Sequence, residues 1–245
     1  MGRKFENEDL AGSIFHCVNL RQATLENVDL SNASISNANL AGVSIDNANI
    51  LGMTIFGFRI DNLIDSERDR GDPERARLRM KDIHRPEDVR RVIDQLDEVR
   101  SNFRTVLSSV PRGQLCKRPA EGKWSAIEHL RHLVFAEDLY INRWILRNND
   151  PLSRLGLLPD FLLGDEAYSS VGSEPCNDPE RIFAEWDRIH SRTRTFIKNA
   201  TGELLRQDTS DVDCGQGTVG RILQGMAHHD LHHVRQAKAA IASAG

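Results

Sequence analysis

The stretch His228-His229-Asp230-Leu231-His232-His233 holds four of the chain's nine histidines in six residues. Residues four apart on a helix lie on one face. Two overlapping pairs follow, His228/His232 and His229/His233, and either would offer two imidazoles to one metal ion. The competing reading is a polar patch on a helix surface, where histidine is common. The helix itself discriminates between the pairs. Its apolar stripe runs Val219, Ile222, Leu223, Met226 and then Ala237, Ala240 and Ile241, and at helical spacing it continues through His229 and His233. His228 and His232 continue the polar face of Arg221, Gln224, Gly225 and Arg235. Two core-facing histidines without a partner would be costly unless hydrogen-bonded, and a cation satisfies both lone pairs. A third imidazole is available from His129 or His132, and spacing alone does not choose between them.

The elements that position these residues are four amphipathic segments. The first opens at Pro86 and carries Val89, Val92, Ile93, Leu96, Val99, Phe103, Val106, Leu107 and Val110, a helical stripe that ends near Pro111. The second follows Trp124 and opens on Ser125-Ala-Ile-Glu128, a capping box, running to about Asn149. The third takes Asp178 as N-cap with Pro179 at its first position. The fourth begins after Thr218 and runs to about Ser243. Four such helices with no strand between them predict a four-helix bundle. The connection over 150–177, with Leu155, Leu157, Leu158, Phe161 and Leu162, is expected either to line a pocket at one end of the bundle or to serve as a packed crossover.

The segment Trp124-Ser-Ala-Ile-Glu-His-Leu-Arg-His132-Leu, taken with His229-Asp-Leu-His-His233-Val-Arg-Gln236, resembles the DinB superfamily, which includes metal-dependent thiol transferases. The resemblance spans about residues 87–242. It implies a four-helix bundle in which His132, His229 and His233 bind a divalent cation, zinc or nickel foremost, with His129 a neighbour. One departure is visible. The family's H-H-R-G-Q ending is here His232-His233-Val234-Arg235-Gln236, so a role for an arginine directly after the last ligand does not transfer.

Three neutral imidazoles leave coordination positions open, as in catalytic sites. The resemblance implies activation of a low-molecular-weight thiol, of the glutathione, bacillithiol or mycothiol type, for attack on an electrophile. A hydrolase using the same cation is the alternative, and a non-enzymatic stress-response or interaction module with a structural metal is the third. No catalytic or thiol-binding residue is assigned: Glu128 is committed to its cap, and Glu137 and Asp230 are expected to face solvent. The family also implies a homodimer.

The first quarter of the chain obeys another rule. An apolar residue returns every fifth position, at Phe5, Leu10, Phe15, Leu20, Leu25, Leu30, Ile35, Leu40, Ile45, Ile50, Ile55 and Ile60. A second series, Val18, Ala23, Val28, Ala33, Ala38, Val43, Ala48 and Met53, precedes it by two. Neither a helix nor a flat strand keeps a five-residue period on one face. A chain that turns after every unit does, and the turning positions are Gly12, Gln22, Asn27, Asn32, Asn37, Gly42, Asn47, Gly52, Gly57 and Asn62, with Cys17 the exception. Glycine and asparagine accept the positive φ such corners need. The pattern is similar to that of the pentapeptide repeat family, which implies a short right-handed, four-sided β-helix of about three coils, acting as a docking or structural module with a protein partner. Asn19, Asp29, Asn39 and Asn49, alternating with Thr24, Ser34, Ser44 and Thr54, are expected to face outward or into backbone ladders. Basic residues dilute the acidic ones here, so mimicry of DNA is not expected.

The whole reads as a two-domain chain: a pentapeptide repeat β-helix over 1–62, a charged linker over 63–85 with a short helix around Pro73 to Met80, and a DinB-like bundle over 86–245. The net charge of −4 over 245 residues offers no basic footprint for nucleic acid. No apolar run approaches membrane-spanning length and no signal segment opens the chain, so a cytoplasmic protein is expected. Cys17, Cys116, Cys176 and Cys214 are scattered, which predicts reduced thiols.

Overall fold

The computed structural model describes residues 3–46, 48, 50, 52–209 and 217–244, and the chain divides into two compact units, Met1–Ile45 and Asp46–Gly245. Cys214 and the repeat positions Asn47 and Asn49 lie outside the described residues.

In the first unit the five-residue corner is realised. φ is positive at Asn7, Gly12, Cys17, Gln22, Asn27, Asn32, Asn37 and Gly42, so the misfit Cys17 turns like its neighbours. Successive corners are not alike. Asp9, Asn19, Asp29 and Asn39 each accept a hydrogen bond from the backbone N–H two residues on, at 2.8–3.0 Å. Each of the same corners closes a turn, with Ser13, Ala23, Ala33 and Val43 donating to the carbonyls of Leu10, Leu20, Leu30 and Leu40. The intervening corners are open bends. The alternation of Asn/Asp with Ser/Thr in the sequence is therefore a ten-residue rhythm of closed and open corners. Coil closure is a separate matter. Among the described residues up to 46 there is no strand, and the central side chains stay exposed, from 40% at Leu10 to 66% at Ile35. Corners are fixed locally, whereas a β-helix needs pairing between coils.

The second unit opens on a two-stranded hairpin, β1 (Thr54–Ile55) with β2 (Phe58–Arg59). Its turn residues Phe56 and Gly57 both have positive φ, as a two-residue hairpin demands. Asp61 is buried and accepts from the Gly52 and Asn62 backbone N–H groups at 3.0 and 2.8 Å. The Arg59 guanidinium, hydrogen-bonded to it, holds its carboxyl far below the usual range. The helices α1 (Ile60–Arg70) and α2 (Pro73–Arg77) follow, with Asp72 capping α2 and Pro73 at its first position.

Residues 63–85, expected as a charged linker, thus hold most of α1 and all of α2, and their tail is core. Leu78 and Met80 are buried, about 1.5–3 kcal/mol of hydrophobic burial each. The charges that suggest a solvated linker are matched within the fold. Arg75, itself buried, pairs with Asp65 at 2.7 Å and with Asp69. Gln224 holds the segment's backbone, accepting from Met80 N at 2.6 Å and donating to Leu78 O at 3.0 Å.

Beyond this arm come α3 (Pro86–Ser108), the short α4 (Arg112–Leu115), α5 (Ala126–Asp138), α6 (Pro179–Asn199), the short α7 (Gly202–Arg206) and α8 (Val219–Ala244). A π-helical turn, Leu139–Ile145, prolongs α5. The long helices α3 and α5 each pack on both α6 and α8, which closes the four into a ring around the core. Phe103 and Phe183 meet edge to face at 6.0 Å across α3 and α6, and the Arg100 guanidinium lies 4.1 Å over the fully buried Trp186 ring. Among the described residues no helix is long and apolar enough to cross a membrane.

Candidate metal centre

α5 starts where the capping box places it. Ser125 Oγ accepts from Glu128 N at 3.4 Å, and the Glu128 carboxylate accepts from Ser125 N at 2.8 Å while pairing with Arg118. Glu128 is a cap, as the sequence predicts. The first turns of the helix then bring His129 and His132 inward, both buried. α8 crosses α5 and presents His229 and His233 to them.

Three of these rings converge. His132, His229 and His233 each offer a ring nitrogen, and the three atoms lie within 4.8 Å of one another. His132 Nε2 lies 3.2 Å from His229 Nε2. The far side of each of these two rings is occupied. His132 Nδ1 lies 3.1 Å from the carbonyl oxygen of Leu157, which only an N–H can face. His229 Nδ1 lies 3.4 Å from Asp230 Oδ1. With the protons on Nδ1, two bare Nε2 lone pairs point at each other. A dication with nitrogen ligands at about 2.0–2.1 Å in a tetrahedral array has N···N edges of about 3.3 Å, so the spacing fits one ion between them.

The surroundings keep the rings neutral. Burial, then the neighbouring His229, pulls His132 down to about 3, and burial lowers His229 to about 4. His233 is driven far below its ordinary value by burial and by His229, His132 and His129. Trp124 packs against three of the imidazoles, with ring centroids 5.4 Å from His129, 4.9 Å from His132 and 6.0 Å from His233. Tyr140, from the π-helical turn, meets His229 edge-on at 5.7 Å. His132 is buried, while His229 and His233 remain partly exposed.

The other histidines separate as helical phase predicts, with one addition. His232 is exposed. His228 also lies off the core face, but the α1–α2 arm covers it, with Arg75 Nη2 at 3.2 Å from its Nδ1. Arg235 binds the N-terminal end of α2 through Asp72 at 2.8 Å and Glu74 at 2.6 Å. The connection after α5 proves to be packed. Leu152, Leu155, Tyr168 and Val171 are buried, and Arg131 holds it by donating to the carbonyls of Leu155 and Gly156, both at 3.0 Å.

Two expectations are corrected. Glu137 and Asp230 do not face solvent; they are 1% and 0% exposed. Glu137 accepts from Trp186 Nε1 at 2.5 Å, His190 Nδ1 at 2.6 Å and Thr193 Oγ1 at 2.5 Å. Burial pushes its carboxyl up, but Arg100 and these donors outweigh it and hold the group ionised. Burial and the charge on Glu137 push Asp230 well above the carboxylate range. His190 was legible in principle, since it continues the stripe of Ile182, Phe183, Trp186 and Ile189 on α6. The role of Leu157 had no signal, because a main-chain carbonyl has no residue signature.

A ring of long helices carrying a partly open three-imidazole cluster defines a helical protein with a candidate metal centre. A family model of the DinB superfamily matches residues 95–237, and the chain belongs to that superfamily. A second model, of pentapeptide repeats, matches residues 7–50 in eight copies. Searches of curated proteins and of solved structures find no match.

Proposed function

We propose that His132, His229 and His233 hold a divalent cation, zinc or nickel, and that the protein uses it to activate a low-molecular-weight thiol, of the bacillithiol, mycothiol or glutathione type, for attack on an electrophile. The observation that carries the reading is the pair of Nε2 atoms facing each other at 3.2 Å with both Nδ1 atoms engaged behind them. An all-imidazole donor set suits zinc and nickel. Such a cation, when bound with a position open, lowers the pKa of a thiol so that the thiolate exists near neutral pH.

The chain's own residues supply the rest. Leu157 O fixes the proton of His132 on the side away from the centre, and Asp230 Oδ1 stands behind Nδ1 of His229. Trp124 packs against one flank of the cluster, and the partial exposure of His229 and His233 leaves the approach for the small molecules. In the transfer the thiol sulfur forms the new bond to the electrophile's carbon, its proton passes to water, and the leaving group departs with the electron pair of the broken bond. In this reading residues 86–245 are the four-helix bundle, residues 1–62 are a docking module whose closure into a right-handed β-helix buries the exposed apolar row, and the protein works in the cytoplasm.

The experiment is elemental analysis of purified protein joined to a thiol screen. About one divalent ion per chain, lost in His132→Ala, with metal-dependent consumption of a thiol and an alkylating electrophile, is the expected result. Absence of the ion from the wild-type chain would overturn the centre. Ion retention with no turnover of any thiol would overturn the transferase and leave a structural metal, and ester cleavage would point to a hydrolase.

A further inference from the structure

We infer that His129, although not a ligand, is the positioning residue that aims His233 into the centre by accepting a hydrogen bond from its Nδ1. The inference rests on the metal centre proposed above and assigns a part of it that neither the repeat nor the helix pattern indicates.

A histidine that ligates through one ring nitrogen carries its proton on the other, and whatever accepts that proton sets the angle of the ring. Two ligands have ordinary acceptors, a peptide carbonyl at Leu157 for His132 and a carboxyl at Asp230 for His229. His233 has neither. Its Nδ1 lies 3.0 Å from Nδ1 of His129, a distance at which one nitrogen must hold the proton and the other must accept it. For His233 to present a bare Nε2 alongside those of His132 and His229, the proton belongs to His233. His129 then accepts on Nδ1 and carries its own proton on Nε2. All three ligands thereby coordinate through the same ring atom.

His129 is built for this task. It stands one turn before His132 on α5, so one helix carries both a ligand and the prop for another. It is 8% exposed, and Trp124 lies edge-on to it at 5.4 Å, which leaves the ring little room to turn away. It is not among the three residues whose ligand atoms cluster. An imidazole acceptor also orients His233 without adding a negative charge, so the cation keeps its full pull on whatever occupies the open position.

The test is a cobalt(II) titration of the full chain, read by visible absorption and by competition with zinc, on wild type and three variants. His129→Ala removes the acceptor and is expected to weaken binding by about 10- to 100-fold. His129→Asn places a carboxamide oxygen near the position of Nδ1 and should recover most of that loss. His129→Gln places its oxygen nearer the position of Nε2 and should not. The cobalt bands should keep their tetrahedral intensity throughout, because the ligands are unchanged. Wild-type affinity in His129→Ala, or Asn no better than Gln, would overturn the inference. A cobalt spectrum that changes coordination in His129→Ala would make His129 a fourth ligand and overturn it too. A wild-type chain that binds no cobalt would overturn the centre itself and this inference with it. Intact wild-type binding therefore separates the two failures, and the Asn and Gln comparison still decides if the Ala variant does not fold.

Discussion

Replacing Glu137 by glutamine changes one atom and should cost the fold heavily, by an amount that depends on pH. Both carboxylate oxygens face donors. One accepts from His190 Nδ1 and Thr193 Oγ1, the other from Trp186 Nε1. A glutamine has a single acceptor oxygen, so its NH2 must point at the indole N–H or at the imidazole and hydroxyl. The side chain is buried away from bulk solvent. A stranded buried donor costs about 1–3 kcal/mol, and removing one partner of a buried ion pair costs about 3–5 kcal/mol, so a loss of about 4 kcal/mol is expected near pH 6.5. The pH dependence follows from His190. Burial pulls its pKa down, but Asp97, at 2.8 Å, and Glu137 outweigh it and raise the value to about 9. A folded-state pKa above the unfolded value of about 6.5 means a contribution of about 3 kcal/mol, complete below pH 6.5 and lost as pH rises through 9. Without the Glu137 charge most of that contribution is already gone. Urea denaturation of both proteins at about pH 6.5 and pH 10 should therefore show a gap that narrows by about 2–3 kcal/mol at the higher pH. A gap below about 1 kcal/mol, or the same gap at both pH values, would refute the account of the buried pair.

Burial lowers His132 to about 3 and His229 to about 4, so their neutral forms favour the fold above pH 6.5, and that contribution fades as pH falls through those values. Dialysis with elemental analysis should accordingly find the cation retained at about pH 5.5 and released only below it, whereas release centred near the ordinary histidine value of about 6.5 would contradict the desolvated centre. Gly220, at the start of α8, faces the Ile83 carbonyl so closely that an alanine Cβ would overlap it, with Leu205 O at 3.3 Å. Gly220→Ala should destabilise by about 2–3 kcal/mol or more, while Gly113→Ala in α4, where nothing lies within 4 Å of an added Cβ, should be neutral or stabilising by up to about 1 kcal/mol; paired thermal melts read both.

The long helices were legible because their ends carry local chemistry: Pro86 and Pro179 at first positions, the Ser125–Glu128 box, and Asp178, which accepts from Glu180 N at 3.2 Å. The choice of His229 and His233 was legible because α8 has one polar face against which phase can be judged. α5 has no such contrast. Nearly every residue from Ala126 to Asp138 is buried, since α6, α8 and the following connection cover it on all sides, so periodicity could not tell that Glu137 points inward. The arm over 60–80 misled for another reason. Its charges are partnered by residues on other elements, Arg235 among them, and tertiary pairing leaves no trace in local composition. In the repeat segment the corners were readable from Asn and Gly because each is fixed by its own neighbours, whereas pairing between successive turns of the chain has no local signature.

The acceptor that steadies His132 is a peptide carbonyl, and its two predecessors in the chain, those of Leu155 and Gly156, are held by Arg131. Every amino acid brings the same carbonyl. The side chain at position 157 can therefore drift without disturbing the ring, but the number of residues from the anchored Leu155 to Leu157 cannot. A single insertion or deletion there would slide the wrong oxygen into place. What the centre demands of this stretch is a length and not a spelling, and tolerance to substitution beside intolerance to changes in length is the mark by which such a requirement would be known.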